Sequence, residues 1–233
     1  MNKFLKVIFC IINPQYLKLY LHGVSPVFEL NPLVRRINKI KTVIDVGSNK
    51  GQFLSLIKNR FPEAKLFSFE PLKHEFELQK KIFKKNKITF FNIAVGEKSQ
   101  SKKFYITNRR DSSSLLKPFN NRKIYKIKKI ISVKVNRLDA LLKDCILQKK
   151  ILLKIDVQGY ELNVLKGLGK MINYVDYIIL ENSFKSIYKN QPQKKRVENF
   201  LLNNKFKILH KCNITKFKSK LFQEDVLYKK INI

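Results

Sequence analysis

Tryptophan is absent from the 233 residues, methionine occurs twice, and cysteine and histidine occur three times each. Cys10, Cys145 and Cys212 stand apart with no Cys-x-x-Cys spacing. An odd, scattered set excludes a disulfide framework and a cysteine zinc site, and fits a reducing cytoplasm. His22, His74 and His210 are equally dispersed. No apolar run reaches the ~20 residues of a membrane-spanning helix. Val7 to Ile12 follows Lys3 and Lys6 but lacks a small-residue cleavage site before Asn13-Pro14, so no cleaved leader is expected. Low-complexity tracts are missing too.

Acidic residues are the other scarcity: 17 Asp+Glu face 49 Lys+Arg, a formal charge of +32. Such a field attracts polyanions, whether nucleic acid, acidic glycan or anionic lipid. The bases are mostly lysines spread along the whole chain, without the localised stripe of arginines and aromatics common in nucleic-acid binders. Heavy use of Lys, Asn, Ile and Phe matches AT-rich codons, so composition accounts for much of the charge. Weak adhesion to anionic membrane or polyanions is expected. Nucleic acid is not expected as a specific partner.

What is present is one globular core: 27.6 kDa with 44% hydrophobic residues is most simply a single domain, residues 41–233, preceded by a helical extension, residues 1–40. Residues 2–21 are expected to form one or two helices packed on that domain, with Tyr16, Leu17, Leu19, Tyr20 and Leu21 on one face and Lys18 opposite. The same basic amphipathic segment could instead rest on an anionic inner-membrane surface.

The chain is organised around Thr42 to Glu70. Val43, Ile44 and Val46 make a buried parallel strand. Gly47 and Gly51 bracket a tight loop into a helix starting near Gln52, where backbone amides and the helix dipole favour an anionic group. A second strand, Lys65 to Phe69, ends in Glu70, placed to take the hydroxyls of a ribose. A dinucleotide fingerprint requires Gly-x-Gly-x-x-Gly; here the spacing is Asp45-x-Gly47-x-x-x-Gly51, the pattern of an S-adenosylmethionine loop.

Further strands are expected at Ile88 to Asn92, at Lys103 to Thr107 as an edge, and at Ile131 to Val135. Asn92 or Ala94 would flank an adenine ring. Asp111-Ser-Ser-Ser114 is a polar loop whose hydroxyls either cap turns or meet a substrate. Ile151 to Val157 is the second informative stretch, an apolar strand carrying Lys154 and ending in Asp156. Ligands of open α/β sheets lie at the carboxyl ends of the strands, and an acid there is either functional or ion-paired to Lys154. Tyr177 to Leu180 brings Glu181 to the same rim. Phe206 to Leu209 and Asp225 to Tyr228 close the sheet antiparallel.

Together, Val43-Ile-Asp-Val-Gly-Ser-Asn-Lys-Gly-Gln-Phe53, Ser68-Phe-Glu-Pro-Leu72, Asp111-Ser-Ser-Ser-Leu-Leu116, Leu153-Lys-Ile-Asp-Val-Gln-Gly-Tyr-Glu-Leu162, Val164-Leu-Lys-Gly167 and Ser183-Phe with Tyr188 and Gln191 resemble the FkbM family of S-adenosylmethionine-dependent methyltransferases, from about Gly23 to Tyr228. The resemblance implies an α/β, Rossmann-like class I methyltransferase fold: a mostly parallel seven-stranded sheet with helices on both faces and the N-terminal helical extension. It implies S-adenosyl-L-methionine as cofactor, held by Asp45, Gly47, Asn49, Gly51, Glu70, Pro71, Asn92 and Ala94. Catalysis falls to Asp156, Glu181 and Lys154, and acceptor binding to Ser112, Ser113, Ser114, Gln158 and Tyr160. Family members often carry Glu-His after the Gly-Val-x-Pro turn, but Glu29 is followed here by Leu30, so no histidine base is offered. A cation held by Asp156 and Glu181 lacks a third ligand, and no metal is expected.

The expected activity is O-methylation of a sugar hydroxyl in surface polysaccharide or glycolipid biosynthesis, in the cytoplasm or at the inner membrane surface. The alternatives are methylation of an RNA ribose and a non-catalytic basic protein adhering to membrane or acidic glycan.

Overall fold

The computed structural model describes residues 14–25, 27–84, 87–119, 125–217 and 220–231. Most of the N-terminal segment expected to be helical therefore lies outside the described residues. Seven strands form the main sheet: β1 (Thr42–Val46), β2 (Lys65–Phe69), β3 (Ile88–Phe91), β7 (Ile151–Ile155), β8 (Tyr177–Ser183), β9 (Phe206–Phe217) and β10 (Lys220–Lys230), in the order β3-β2-β1-β7-β8-β10-β9. β1 pairs in parallel with β2 and β7, β2 with β3 and β7 with β8; β10 runs antiparallel to both β8 and β9. The remaining strands, β4 (Ala94–Val95), β5 (Gln100–Thr107) and β6 (Ile127–Asn136), leave the main sheet and make a three-stranded one of their own.

Alternation along β1 decides which layer each helix joins. Val43 faces a cluster with Leu33 of α2 (Asn31–Val34), Phe53 and Ile57 of α3 (Gln52–Arg60), and Ile82 of α4 (Lys73–Ile82). Ile44 and Val46 face the opposite cluster, with Leu138 of α5 (Leu138–Leu141), Leu162 and Leu165 of α6 (Glu161–Lys166), and Val197 and Leu201 of α7 (Lys194–Asn203). The period of two in the strand thus meets a period of 3.6 on each side. Each fully buried aliphatic side chain contributes roughly 1.5–3 kcal/mol. This is the Rossmann-like α/β arrangement expected, with helices on both faces.

The described part of the extension, α1 (Pro14–Leu21), enters the first cluster through Leu19, and Tyr16 is also fully buried. The single expected apolar face needs correction: Tyr20 is 50% exposed and Leu21 74%. α2 ends at Val34, and the chain continues through a turn and an irregular stretch to Ile40, with Ile37 and Ile40 still packed in the first cluster. β9 and β10 are much longer than their apolar residues suggested. His210, Lys211 and Asn213 on β9 and Gln223 and Glu224 on β10 interrupt the apolar pattern, while the backbone ladder continues past them.

Candidate active site

The carboxyl ends of β1, β2 and β7 open into a cavity of about 440 Å³. Ser25, Val27, Glu29 and Leu30, the small sheet and the 3-10 turn Arg110–Ser112 complete its walls. Its floor on one side is the loop after β1. Gly47 has φ 76°, and a Cβ on it would lie 1.9 Å from the Asp156 carbonyl oxygen. Only glycine lets β1 and the end of β7 meet here. Gly51, with φ 83°, instead makes room for the Phe83 ring, 2.6 Å from a would-be Cβ, and it does not line the cavity.

A buried polar latch fixes this loop. Gln79 of α4 is fully buried and donates through Nε2 to Ser48 Oγ at 2.9 Å and to the Asn49 carbonyl. Ser68 of β2 donates to Gln79 Oε1 at 2.6 Å. Glu75 and Gln79 share a buried stripe of α4 with Ile82 at helical spacing.

Glu70 closes the loop from below: its Oε2 accepts the Asn49 N–H at 2.9 Å and its Oε1 the Leu72 N–H at 2.8 Å. Burial pushes its carboxyl up to about 7, against the downward pull of those two N–H groups. Glu70, Pro71 and Ala94 line the cavity. Asn92 does not; it is exposed and donates to the Glu70 and Pro71 carbonyls at 2.9 and 3.1 Å.

The other floor is a charged column. Register places Asp45 of β1 directly beside Lys154 of β7. Lys154 Nζ lies 3.2 Å from Asp45 Oδ1, 3.5 Å from Asp156 Oδ2, and donates to the Gly47 carbonyl at 3.1 Å. Burial alone would pull this ammonium down, but Asp45 and Asp156 outweigh it and raise it, so Lys154 stays charged. Asp45 is fully buried and sits beneath the cavity rather than in its lining; Lys154 and Asp156 do line it. The cross-strand pair was missed in the sequence, although Asp45 and Lys154 are the only charged residues of β1 and β7.

Glu181 stands behind this column, outside the lining, with Gln223 Nε2 donating to its Oε2. Burial and the negative charges of Asp156, Asp225 and Glu161 raise its carboxyl well above the usual range.

The serine triplet is largely engaged in holding its own loop. Ser113 Oγ accepts the Thr107 N–H at 3.2 Å, Ser114 Oγ donates to the Gln158 carbonyl at 2.7 Å, and Ser112 Oγ donates to Asp111 Oδ1 at 3.2 Å. Of the three, only Ser113 lines the cavity; Gln158 does too, while Tyr160 is buried in the cluster of Leu72, Ala94 and Phe104. The sequence reading did not single out Arg110, which grips Glu75 of α4 through Nε and Nη2 at 2.5 and 2.6 Å and ties the 3-10 turn across the cavity.

The methyltransferase FkbM domain model matches residues 45–208, which contain the glycine loop, Glu70, the serine loop and the Asp156 turn. The chain belongs to the FkbM methyltransferase family. A curated relative, the 2-O-methyltransferase NoeI of Sinorhizobium fredii (strain NBRC 101917 / NGR234), is 25% identical over 160 residues, 64% of this chain. The alignment spans 66% of NoeI's own length. Among solved structures, M. capricolum TrmK in complex with S-adenosyl-homocysteine is 10% identical with a TM-score of 0.49, covering 88% of this chain and 68% of TrmK. Magnesium protoporphyrin IX methyltransferase of Synechocystis PCC 6803 with bound SAM is 11% identical with a TM-score of 0.47, covering 94% and 81%. The family match and the strand order carry the assignment to the class I methyltransferase fold.

Family membership brings S-adenosyl-L-methionine as the methyl donor. The cavity fits it. Asn49 Oδ1 is a buried acceptor with no hydrogen-bond partner within the protein, on a residue that lines the cavity, as a methionine ammonium requires. Glu70 offers a buried carboxylate beside it whose oxygens each keep lone-pair capacity for ribose hydroxyls. Among the described residues no group of three or more His, Cys, Asp or Glu is arranged for a metal ion, and no helix is long and apolar enough to cross a membrane.

Proposed function

We propose that the chain is an O-methyltransferase whose acceptor is a sugar hydroxyl, with surface polysaccharide or glycolipid biosynthesis as its setting. The observation that carries this reading is Asp156: a carboxylate in the cavity wall, next to the glycine loop and tied to a buried lysine, with no thiol or histidine among the described residues that line the cavity. The name of NoeI as a 2-O-methyltransferase supports the O-directed part of the reading.

When bound, the cofactor supplies an electrophilic methyl on a positively charged sulfur. Asn49 and Glu70 would hold its two ends, and the backbone of Gly47 would lie beneath it. Asp156 accepts the proton of the attacking hydroxyl, and Lys154, 3.5 Å away, keeps Asp156 aimed. Lys154 is too firmly protonated to be the base. Glu181, outside the lining, stands behind Asp156, whose charge helps to raise the Glu181 carboxyl. The Arg110–Glu75 tie narrows the cavity and helps to exclude water. Alignment supplies most of the rate, and the base adds roughly 100-fold or more.

Calorimetric titration with S-adenosylhomocysteine tests the first half: binding by the intact protein, weakened at least ~10-fold (about 1.4 kcal/mol) in Asn49→Ala and in Glu70→Ala. Asp156→Asn should keep that affinity and lose ~100-fold in turnover; full turnover by this variant removes Asp156 from the base role. Labelled methyl transfer to oligosaccharide and glycolipid acceptors, with structured RNA as the competing acceptor, tests the second half. Transfer to RNA ribose alone overturns the sugar reading.

A further inference from the structure

We propose that Tyr188 is a positioning residue that acts on Asp156 through the Gln158 amide, and that this amide turns over when Asp156 gains a proton. The inference rests on the reading of Asp156 as proton acceptor.

Gln158 is held in a conformation that a non-glycine residue adopts only under constraint, φ 55°. Ser114 Oγ donates to its carbonyl at 2.7 Å, and Glu161 Oε1 accepts the N–H of the following Gly159 at 2.9 Å. Gly159 must be glycine, with φ 95°, because Tyr188 Cδ2 and Gln191 Cδ stand 3.0 and 3.1 Å from a would-be Cβ. Tyr188 is 1% exposed. Gln191 Oε1 accepts the N–H groups of Ile187 and Tyr188, and residues 117–119 bond to both of its flanks. Both rings of constraint converge on one side chain: Gln158 Nε2 donates to Asp156 Oδ1 at 2.8 Å, while Tyr188 Oη lies 3.1 Å from Gln158 Oε1.

The proton inventory explains why two states are needed. Tyr188 Oη also lies 2.8 Å from the Ser112 carbonyl oxygen, so one phenolic proton faces two acceptors. With Asp156 as a carboxylate, the chain Ser112–Tyr188–Gln158–Asp156 is one donor short. In the reaction the acceptor's O–H bond breaks and an Asp156 O–H bond forms, with no change of oxidation state. A half-turn of the amide, a soft torsion, then lets Asp156 donate to Gln158 Oε1 and Gln158 Nε2 donate to Tyr188 Oη. The tyrosine proton goes wholly to Ser112. Every group is then satisfied. The network can hydrogen-bond Asp156 both with and without the proton, which suits a base that must take up and release one in each cycle. The charged groups around Asp156 are Lys154 on its own strand, Asp45 of β1 behind it, Glu181 of β8, Asp225 of β10 and Glu161 of α6.

The test uses the full chain with Tyr188→Phe and, as a second variant that leaves the tyrosine packing in place, Gln158→Leu. The readout free of turnover is the side-chain amide of Gln158 in 1H–15N spectra of Tyr188→Phe. In the wild type it should be dispersed and should move on acidification; in the variant it should collapse toward a free amide. Turnover should fall roughly tenfold in Tyr188→Phe and more in Gln158→Leu, with acceptor KM within about twofold and the acid limb of the kcat profile moved to higher pH. S-adenosylhomocysteine affinity should stay within about twofold in both, which separates this proposal from the cofactor site. A Tyr188→Phe protein with wild-type amide signals and pH profile overturns the proposal, as does a loss confined to the unfolding midpoint. Full turnover by Asp156→Asn removes the underlying reading instead, and leaves the amide signals to be judged alone.

Discussion

The two floors of the cavity are built by opposite means. On the β1–β2 side, the loop from Gly47 to Gly51 is held largely through its backbone by the neighbouring β2 and α4: Gly47 and Ser48 N–H to Phe69, Asn49 N–H to Glu70, and the Gln79 latch. On the β7 side, Asp156 is held by side chains: Lys154 and Gln158 two residues away on either side, which are themselves held by Asp45, Tyr188 and Ser114 from distant strands and loops. The first arrangement presents fixed dipoles and tolerates little change. The second carries charge and adjustable protons. A donor common to a whole family needs the first kind of surface, and an individual proton transfer needs the second.

Gly47→Ala should break the comparison most severely, because the new methyl meets the Asp156 backbone where the two floors are packed against each other. A loss comparable to the whole folding free energy, ~5 kcal/mol or more, is expected in urea unfolding. Gly51→Ala meets only a phenylalanine ring and should cost less, about 1–3 kcal/mol. Equal losses would show that positive φ, and not the contact between the floors, governs both sites.

Lys154→Met comes next. It strands Asp45, which is 0% exposed, without its cation, at about 3–5 kcal/mol. Adding Asp45→Asn should recover a large part of this, because the uncompensated charge disappears. A double-mutant cycle that returns simple additivity would mean that the pair is not coupled.

The legibility of the two floors follows from the same contrast. Gly47, Gly51, Glu70 and Asp156 stand out in sequence because strand ends, turns and an acid in an apolar run leave local signatures. The seven-stranded layout follows from strands alternating with helices. The Asp45–Lys154 pair could have been found only by setting β1 against β7, since each residue alone looks like an isolated charge. Gln79, Glu75 and Arg110 carried no signal at all, because a polar residue on an amphipathic helix or loop reads as solvated until its distant partner is known. The long β9–β10 hairpin looks shorter in sequence for the converse reason: its ladder bonds are backbone, and polar residues such as Lys211, Asn213, Gln223 and Glu224 interrupt its apolar pattern.

Glu70→Gln sharpens the comparison through pH. The folded-state carboxyl titrates near about 7 against an ordinary 4.5, so the folded protein holds a proton that the unfolded chain has released in this window. Stability contributed by Glu70 is therefore present below about 4.5 and is lost as pH rises toward about 7, on the order of 3 kcal/mol. The variant should flatten the fall in unfolding free energy between these limits by that order. Glu161, also raised to about 7 by burial, leaves a residual slope of the same sign. An unchanged slope in Glu70→Gln would place the titration elsewhere.

The smallest expected effect decides how the serine loop is read. Ser113 lines the cavity, yet its oxygen already accepts the Thr107 N–H, and its loop is tied to β5 by the Tyr105–Ser114 bridge. Ser113→Ala removes one acceptor for a buried backbone donor and should cost about 1 kcal/mol of stability. If the hydroxyl serves the loop alone, acceptor KM and turnover stay within about twofold of wild type, because nothing it gives to the transition state has been removed. If KM rises more than about tenfold while the unfolding midpoint hardly moves, the hydroxyl spends its remaining capacity on the acceptor. The adjustable floor of the cavity would then extend beyond Asp156 and Gln158 into the small sheet.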